Sequence, residues 1–186
     1  MDENKEVKEK AKVNEIRKIY TGKAFSFVVE DITLPNGTRT EVAMARHPGS
    51  TAIVPLLDDE RVVMMEQYRH ATGEYLLEIP AGTMEAGEST LSCARRELEE
   101  ETGITAGKLI DMGYVYILPS YSDEKIHVFL AVDLSMGQQN LDQDEIIRIV
   151  EFPLEDVMTM IGNGSIIDAL TILAIQKVWI YLKSQK

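Results

Sequence analysis

The stretch that decides the reading runs Gly82-Thr-Met-Glu-Ala-Gly-Glu88-Ser-Thr-Leu-Ser-Cys93-Ala-Arg-Arg96-Glu97-Leu98-Glu99-Glu100-Glu101-Thr102-Gly103-Ile104. Its second half has the marks of a helix from Ser89 to Thr102. Ser89 can cap the N-terminus, and Gly103 stands where a left-handed C-terminal cap is wanted. With each residue turning about 100°, Leu91, Ala94 and Leu98 fall on one apolar stripe facing the core. Glu97 and Glu101 lie on one flank of that stripe, and Glu100 lies just beyond. Like charges at this spacing repel by a few tenths of a kcal/mol. Three carboxylates on one flank therefore either face water or bind a cation. Hard carboxylate oxygens suit Mg²⁺, with Mn²⁺ as the alternative.

The wider spacing favours the cation. Gly82, Glu88, Arg96-Glu97-Leu98, Glu100-Glu101 and Gly103-Ile104 follow G-x5-E-x7-R-E-U-x-E-E-x-G-U at every position, with U an aliphatic residue. From ordinary residue usage, a chance match at one start point is on the order of one in a billion. This box resembles the signature of the Nudix hydrolase family. The resemblance implies that Glu97 and Glu101 are the principal metal ligands, with Glu100 and the Ala81 carbonyl at the same cluster. It implies that Glu88 and Arg96 pair to brace the structure, and Gly82 is read as a tight turn after the strand ending at Pro80. It also implies the reaction type, hydrolysis of a nucleoside diphosphate linked to another moiety.

The flanks narrow the substrate. His47-Pro48-Gly49, Gln67-Tyr68-Arg69 and Leu77-Glu78-Ile79-Pro80-Ala81-Gly82 resemble the ADP-ribose pyrophosphatase branch of that family. So do Pro119, fifteen residues past Ile104, the loop Leu118-Pro119-Ser120-Tyr121-Ser122-Asp123-Glu124, and Asp168-Ala169 with Thr171. Ser120, Leu118 and Leu170 depart from the residues usual there, and these changes bear on substrate more than on reaction. The resemblance implies cleavage of ADP-ribose to AMP and ribose 5-phosphate with two or three Mg²⁺ ions. A nucleotide sugar such as GDP-mannose is the alternative substrate, and a non-catalytic nucleotide-binding sensor is a third reading. Arg69, Glu78 and Arg46 are the expected substrate-binding residues. Glu124 is the expected general base, acting from a mobile loop, with Glu100 as its rival. Buried among apolar neighbours, Glu78 would need a partner.

Strand and turn signals surround the box. Phe25–Thr33 and Thr38–Ala45 read as a hairpin about Leu34-Pro35-Asn36-Gly37. Thr51–Leu57, Arg61–Tyr68, Tyr75–Ile79, Leu109–Leu118, Lys125–Leu134 and Glu145–Phe152 read as strands. Pro153 opens a helix to about Ile161, and Ile166–Leu182 is the last helix. Residues 1 to about 17 read as a polar lead-in, helical or loose. The fold class is α/β of the α+β kind: a Nudix fold with a mixed β-sheet packed between helices and an N-terminal β-hairpin extension. Residues 1–45 form the extension, expected to dimerise the chain, and 46–186 the Nudix hydrolase domain. By resemblance, Tyr20, Phe25 or Phe27 stacks on adenine from the partner chain of a homodimer.

Composition agrees. The 186 residues suffice for one domain with a sizeable core, and 19 Lys and Arg against 31 Asp and Glu give a net charge of −12. So acidic a chain is ill suited to nucleic acid or an anionic membrane. Its partner is expected to be a small nucleoside diphosphate derivative, drawn in by bound cations. The single cysteine, Cys93, excludes an intrachain disulfide and reads as a packing residue. His47, His70 and His127 show no zinc-ligand spacing, and the nine methionines read as core filler. With no apolar leader at its start, the chain is expected to be cytoplasmic.

Overall fold

The computed structural model describes residues 9–141 and 146–185. Glu145, the expected first residue of a strand, and the first eight residues of the lead-in lie outside the described residues. The chain divides into two compact units, one holding the chain up to His47 with Leu118–Glu124, the other Pro48–Ile117 with Lys125 onward.

The first unit is an antiparallel sheet of β1 (Lys12–Thr21), β2 (Ser26–Thr33) and β3 (Arg39–Arg46), in that order. The expected hairpin is β2–β3, turned at Leu34–Thr38 where the Gly37 N–H donates to the Leu34 carbonyl at 2.8 Å. Alternation along β2 buries Val28, Glu30 and Ile32 on one face. The lead-in is a correction: from Lys12 it is a strand, exposed throughout. Burial does not hold it there. Its backbone pairs with β2 from Lys12↔Thr33 to Thr21↔Ser26, and Asn14 donates to Asp31 and to Thr33, both at 3.0 Å. Arg17 also pairs with Glu41. A polar sequence with spaced Val13, Ile16 and Ile19 shows no strand signal of its own, because the partner strand supplies the order.

The second unit carries two sheets where one mixed sheet was expected. One is mixed, ordered β7 (Ala81–Thr83), β4 (Ser50–Pro55), β9 (Ile126–Met136), β8 (Ile104–Val115), with β4 and β9 parallel. The other is antiparallel, ordered β10 (Ile147–Pro153), β5 (Arg61–Arg69), β6 (Glu74–Glu78). Consecutive β4 and β5 lie in different sheets. Only an isolated bridge, Leu56↔Val62, joins them.

Period-2 alternation divides the core between two faces. Ile53, Val63 and Phe129 pack with Ala94 and Leu98 of α1 (Thr90–Thr102). Ala52, Val54, Met64, Val128 and Leu130 pack with α2 (Leu154–Gly162) and α3 (Ala169–Ser184) through Val157, Ala174, Ile175 and Val178. Strands covered on both faces are apolar at nearly every position, as β4 is. The architecture is mixed α+β with sheets between helices, as the sequence leads one to expect. α1 has the foreseen caps: Ser89 accepts from the Ser92 N–H, and Gly103 is left-handed at φ 72°. One detail is corrected. Leu91 is 44% exposed and the buried face runs through Cys93, Ala94, Glu97, Leu98 and Glu101. No described helix is long and apolar enough to cross a membrane.

Candidate functional site

The buried face of α1 includes two of its glutamates. Glu97 is 9% exposed and Glu101 3%. They stand beside β7, the three-residue strand that pairs with β4 through Thr51↔Gly82. A Cβ on Gly82 would lie 1.9 Å from the Glu97 Cδ. The glycine therefore makes room for a carboxylate against the strand backbone. It does not serve the turn that the sequence suggests, since its φ is not left-handed. Next to it, the Ala81 N–H donates to Glu101 Oε2 at 2.9 Å.

Arg96 knits the acidic face together. Its Nε and Nη2 donate to the two oxygens of Glu88 at 3.0 and 2.9 Å. Nη1 donates to Glu97 at 2.7 Å and to Glu100 at 3.1 Å, and Nη2 also reaches the Thr83 carbonyl at 3.1 Å. The Glu88 hydrogen bonds push the already basic guanidinium further up. In return they pull the Glu88 carboxyl down to about 2. The expected Glu88–Arg96 brace is present and reaches further, into two of the expected metal-binding carboxylates. Glu100 is the more open, its side chain 40% exposed.

A second ion pair stands on β5 and β6. Arg69 grips buried Glu78 through Nε at 3.0 and 3.1 Å and Nη2 at 2.6 Å, the partner that Glu78 needs. This bond to Glu78 holds the Arg69 guanidinium above its ordinary value, with smaller contributions from the charges of Glu101 and Asp168. Asp168 caps α3 by accepting from the Thr171 N–H at 2.8 Å. The buried Thr171 hydroxyl accepts from the Ile79 N–H at 3.1 Å, pinning the strand that precedes Ala81. Cys93 is a buried packing residue, its thiol pushed up to about 11 by burial.

Among the described residues no three His, Cys, Asp or Glu side chains are already gathered as a metal cluster. The Arg96 guanidinium is the group between Glu97 and Glu100. The donors nevertheless fit a hard divalent cation. They are carboxylate oxygens at the edge of the interior, and the space beside Gly82 is kept clear for one of them.

Arg46 and Glu124 belong to the first unit. Arg46 pairs with buried Glu30 and donates to Asp123 at 2.9 Å. The His47 N–H donates to Asp123 at 2.8 Å, and His47 Nδ1 lies 3.7 Å from Glu124 Oε1. Asp123 sits below the usual carboxylate range, because burial, which raises it, is outweighed by the bonds from Arg46 and His47. The segment Leu118–Glu124 is tied to the end of β3, with the Ala45 N–H on the Tyr121 carbonyl at 2.8 Å and the Asp123 N–H on the Ala45 carbonyl at 3.3 Å. Sequence reasoning missed Asp123, because its partner Arg46 is 77 residues away and no local pattern links them. It missed the Thr171 anchor for the same reason.

The NUDIX domain family profile matches residues 46–170. ADP-ribose pyrophosphatase of Bacillus subtilis (strain 168) is 40% identical over 160 residues, covering 85% of this chain and 86% of that protein. Methanol dehydrogenase activator of Bacillus methanolicus is 35% identical over 170 residues, 90% of each chain. A solved structure, the crystal structure of ADP compounds hydrolase, superposes with a TM-score of 0.82 at 26% identity, covering 95% of this chain and 96% of that one. The chain belongs to the NUDIX family.

The brace carries a pH signature. Glu88 has a folded pKa of about 2 against 4.5 when unperturbed, so the unfolded chain binds the extra proton between those values. Its contribution is present above about pH 4.5 and lost as pH falls toward 2. Glu88→Gln should be less stable than the wild type at pH 7 by about 1–2 kcal/mol, solvent screening trimming what the full shift would give. Urea unfolding across pH should show the two proteins converging toward pH 2. A gap of constant size throughout would contradict the brace.

Proposed function

We propose that this NUDIX-family chain is a divalent-cation-dependent pyrophosphohydrolase that cleaves ADP-ribose to AMP and ribose 5-phosphate. The observation that carries it is the pair of buried carboxylates Glu97 and Glu101 against a strand whose Gly82 leaves room for them. The 40% identity to an ADP-ribose pyrophosphatase over most of both chains supports the substrate.

Glu97, Glu101 and Glu100 would hold Mg²⁺, or Mn²⁺, together with the Ala81 carbonyl. Once bound, such a cation offsets the charge of a pyrophosphate and acidifies a water. The protein's own part is positional. Ala81 fixes Glu101 through its N–H, and Arg96 holds Glu97 and Glu100 in line until a cation competes for them. Arg69, gripped by Glu78 through Nε and Nη2, would offer its guanidinium to a substrate anion. Arg46 is a further substrate-binding candidate. Glu124 takes the proton of the attacking water, with Glu100 as the rival base.

The working form is a homodimer in the cytoplasm. Val13, Ile16, Ile19 and Tyr20 on β1, with Phe25 and Phe27, expose more apolar surface than a solitary sheet keeps in water. Tyr20, Phe25 and Phe27 remain the candidates to stack on adenine.

Purified protein with Mg²⁺ should release AMP from ADP-ribose, and do so faster than it cleaves GDP-mannose or dinucleotides. Preference for GDP-mannose would move the substrate to the nucleotide sugars, and no turnover on any of them would leave a binding domain. Glu97→Gln and Glu101→Gln should each abolish turnover while the fold persists, since a Gln oxygen can still accept from Arg96 or from the Ala81 N–H. Near-normal rates in both would remove the metal site. Glu124→Gln should lower kcat by about a hundredfold to ten-thousandfold with KM little changed. If that variant keeps its turnover while Glu100→Gln loses the basic limb of the pH profile, the base is Glu100.

A further inference from the structure

His47 follows the last residue of β3, with its side chain only 10% exposed. A nearly covered imidazole without zinc-ligand spacing calls for a role, and its neighbours supply one. The segment Leu118–Glu124 is joined to the end of β3 by its backbone, through the Ala45 N–H on the Tyr121 carbonyl and the Asp123 N–H on the Ala45 carbonyl. Asp123 closes the joint with both carboxylate oxygens. Oδ1 accepts from the His47 N–H at 2.8 Å, and Oδ2 accepts from Arg46 Nη1 at 2.9 Å. The Glu124 N–H, next along, donates to Ser122 Oγ at 3.1 Å. His47 and Glu124 are thus each fixed at the backbone, on two strands of chain that the same carboxylate ties together.

What can still move is the Glu124 side chain, which is 32% exposed. His47 Nδ1 lies 3.7 Å from its Oε1. A hydrogen bond to a carboxylate runs about 2.7–2.9 Å, so a turn about the glutamate's own torsions closes the gap. The chemistry of the two groups sets the direction of the bond. A neutral imidazole carries its proton on one ring nitrogen, and an ionised carboxylate only accepts, so the proton belongs on the Nδ1 that faces Glu124. The imidazole is the covered, fixed partner and the carboxylate the open one. His47 is therefore ill placed to meet a water itself and well placed to hold the group that does. With Oε1 engaged, Oε2 remains to accept a proton.

We propose that His47 is a positioning residue, whose Nδ1–H holds one oxygen of Glu124 so that the other takes the proton of the attacking water. This rests on the reading of Glu124 as the general base and deepens it. A long, part-exposed glutamate samples several rotamers, and misplacing a reacting group by about 1 Å can cost about a hundredfold in rate. A fixed donor beside it selects one arrangement.

The test is a cycle of variants, His47→Ala and Glu124→Gln singly and together, assayed on ADP-ribose with Mg²⁺. His47→Ala should lower kcat at least about tenfold and leave KM within about twofold, since placement in the transition state is what is lost. In the Glu124→Gln background the same change should cost less than about twofold, because no base is left to place. His47→Asn, whose amide nitrogen can stand where Nδ1 stands, should bring kcat back to within about threefold of wild type. His47→Leu, which fills the space without a donor, takes the place of Ala if that variant does not fold. An undiminished kcat in His47→Ala beside a crippled Glu124→Gln overturns the assignment alone. So does an equal loss in both backgrounds, a loss confined to KM, or an Asn variant no better than Ala, since each marks packing or substrate contact instead. Glu124→Gln at the wild-type rate removes the base, and a wild type silent on every nucleoside diphosphate removes the functional reading; either takes this inference with it.

Discussion

One guanidinium holds the acidic face of α1 in place. Arg96 donates to Glu88, Glu97, Glu100 and the Thr83 carbonyl, so a single positive charge ties the loop before the helix, the helix itself and the end of β7. Without it, the three carboxylates Glu97, Glu100 and Glu101, within five residues, would repel one another, two of them at the rim of the interior where water screens poorly. The apolar side of the helix, Ala94 and Leu98 against Ile53, Val63 and Phe129, gives this cluster a rigid floor. The site thus stands on a packed core and is tuned by one ion network. Under the proposed function that network would also compete with a cation, since Glu97 and Glu100 are bonded to Arg96 and are the proposed ligands.

Net charge alone makes an acidic protein a poor host for an anionic substrate. The structure points to a local answer. Arg69 is held on Glu78 near Glu101, and Arg46 is held between Glu30 and Asp123. Each guanidinium is fixed by carboxylates, so under the proposed function it would cost little ordering to engage an anion. The 26% identity to a solved ADP compounds hydrolase, with a TM-score of 0.82, shows that this scaffold persists where most side chains have changed.

What the sequence revealed follows from how local each signal is. Ser89, the apolar Ala94 and Leu98, and Gly103 mark the helix within one window, and the helix lies where they put it. The strands of the second unit were readable because their apolar runs are continuous. β1 was not, since its ten residues are all exposed and are ordered by pairing with β2. Leu91 was drawn into the core by period alone, but the helix buries the side carrying Cys93, Glu97 and Glu101. Gly82 was noticed for the right position and the wrong reason. A turn is a local idea, whereas the contact that demands a glycine comes from a side chain fifteen residues on, Glu97. Arg46 with Asp123 and Ile79 with Thr171 are long-range facts with no local trace.

The central claim is that Glu97, set against Gly82, completes a divalent-cation site. Electron paramagnetic resonance counts free Mn²⁺ directly and needs no substrate. Wild-type protein should take Mn²⁺ out of the free pool. Gly82→Ala should take up far less while keeping its fold, because the new Cβ, 1.9 Å from the present Glu97 Cδ, has to displace the carboxylate. Equal Mn²⁺ uptake by both proteins would contradict the account.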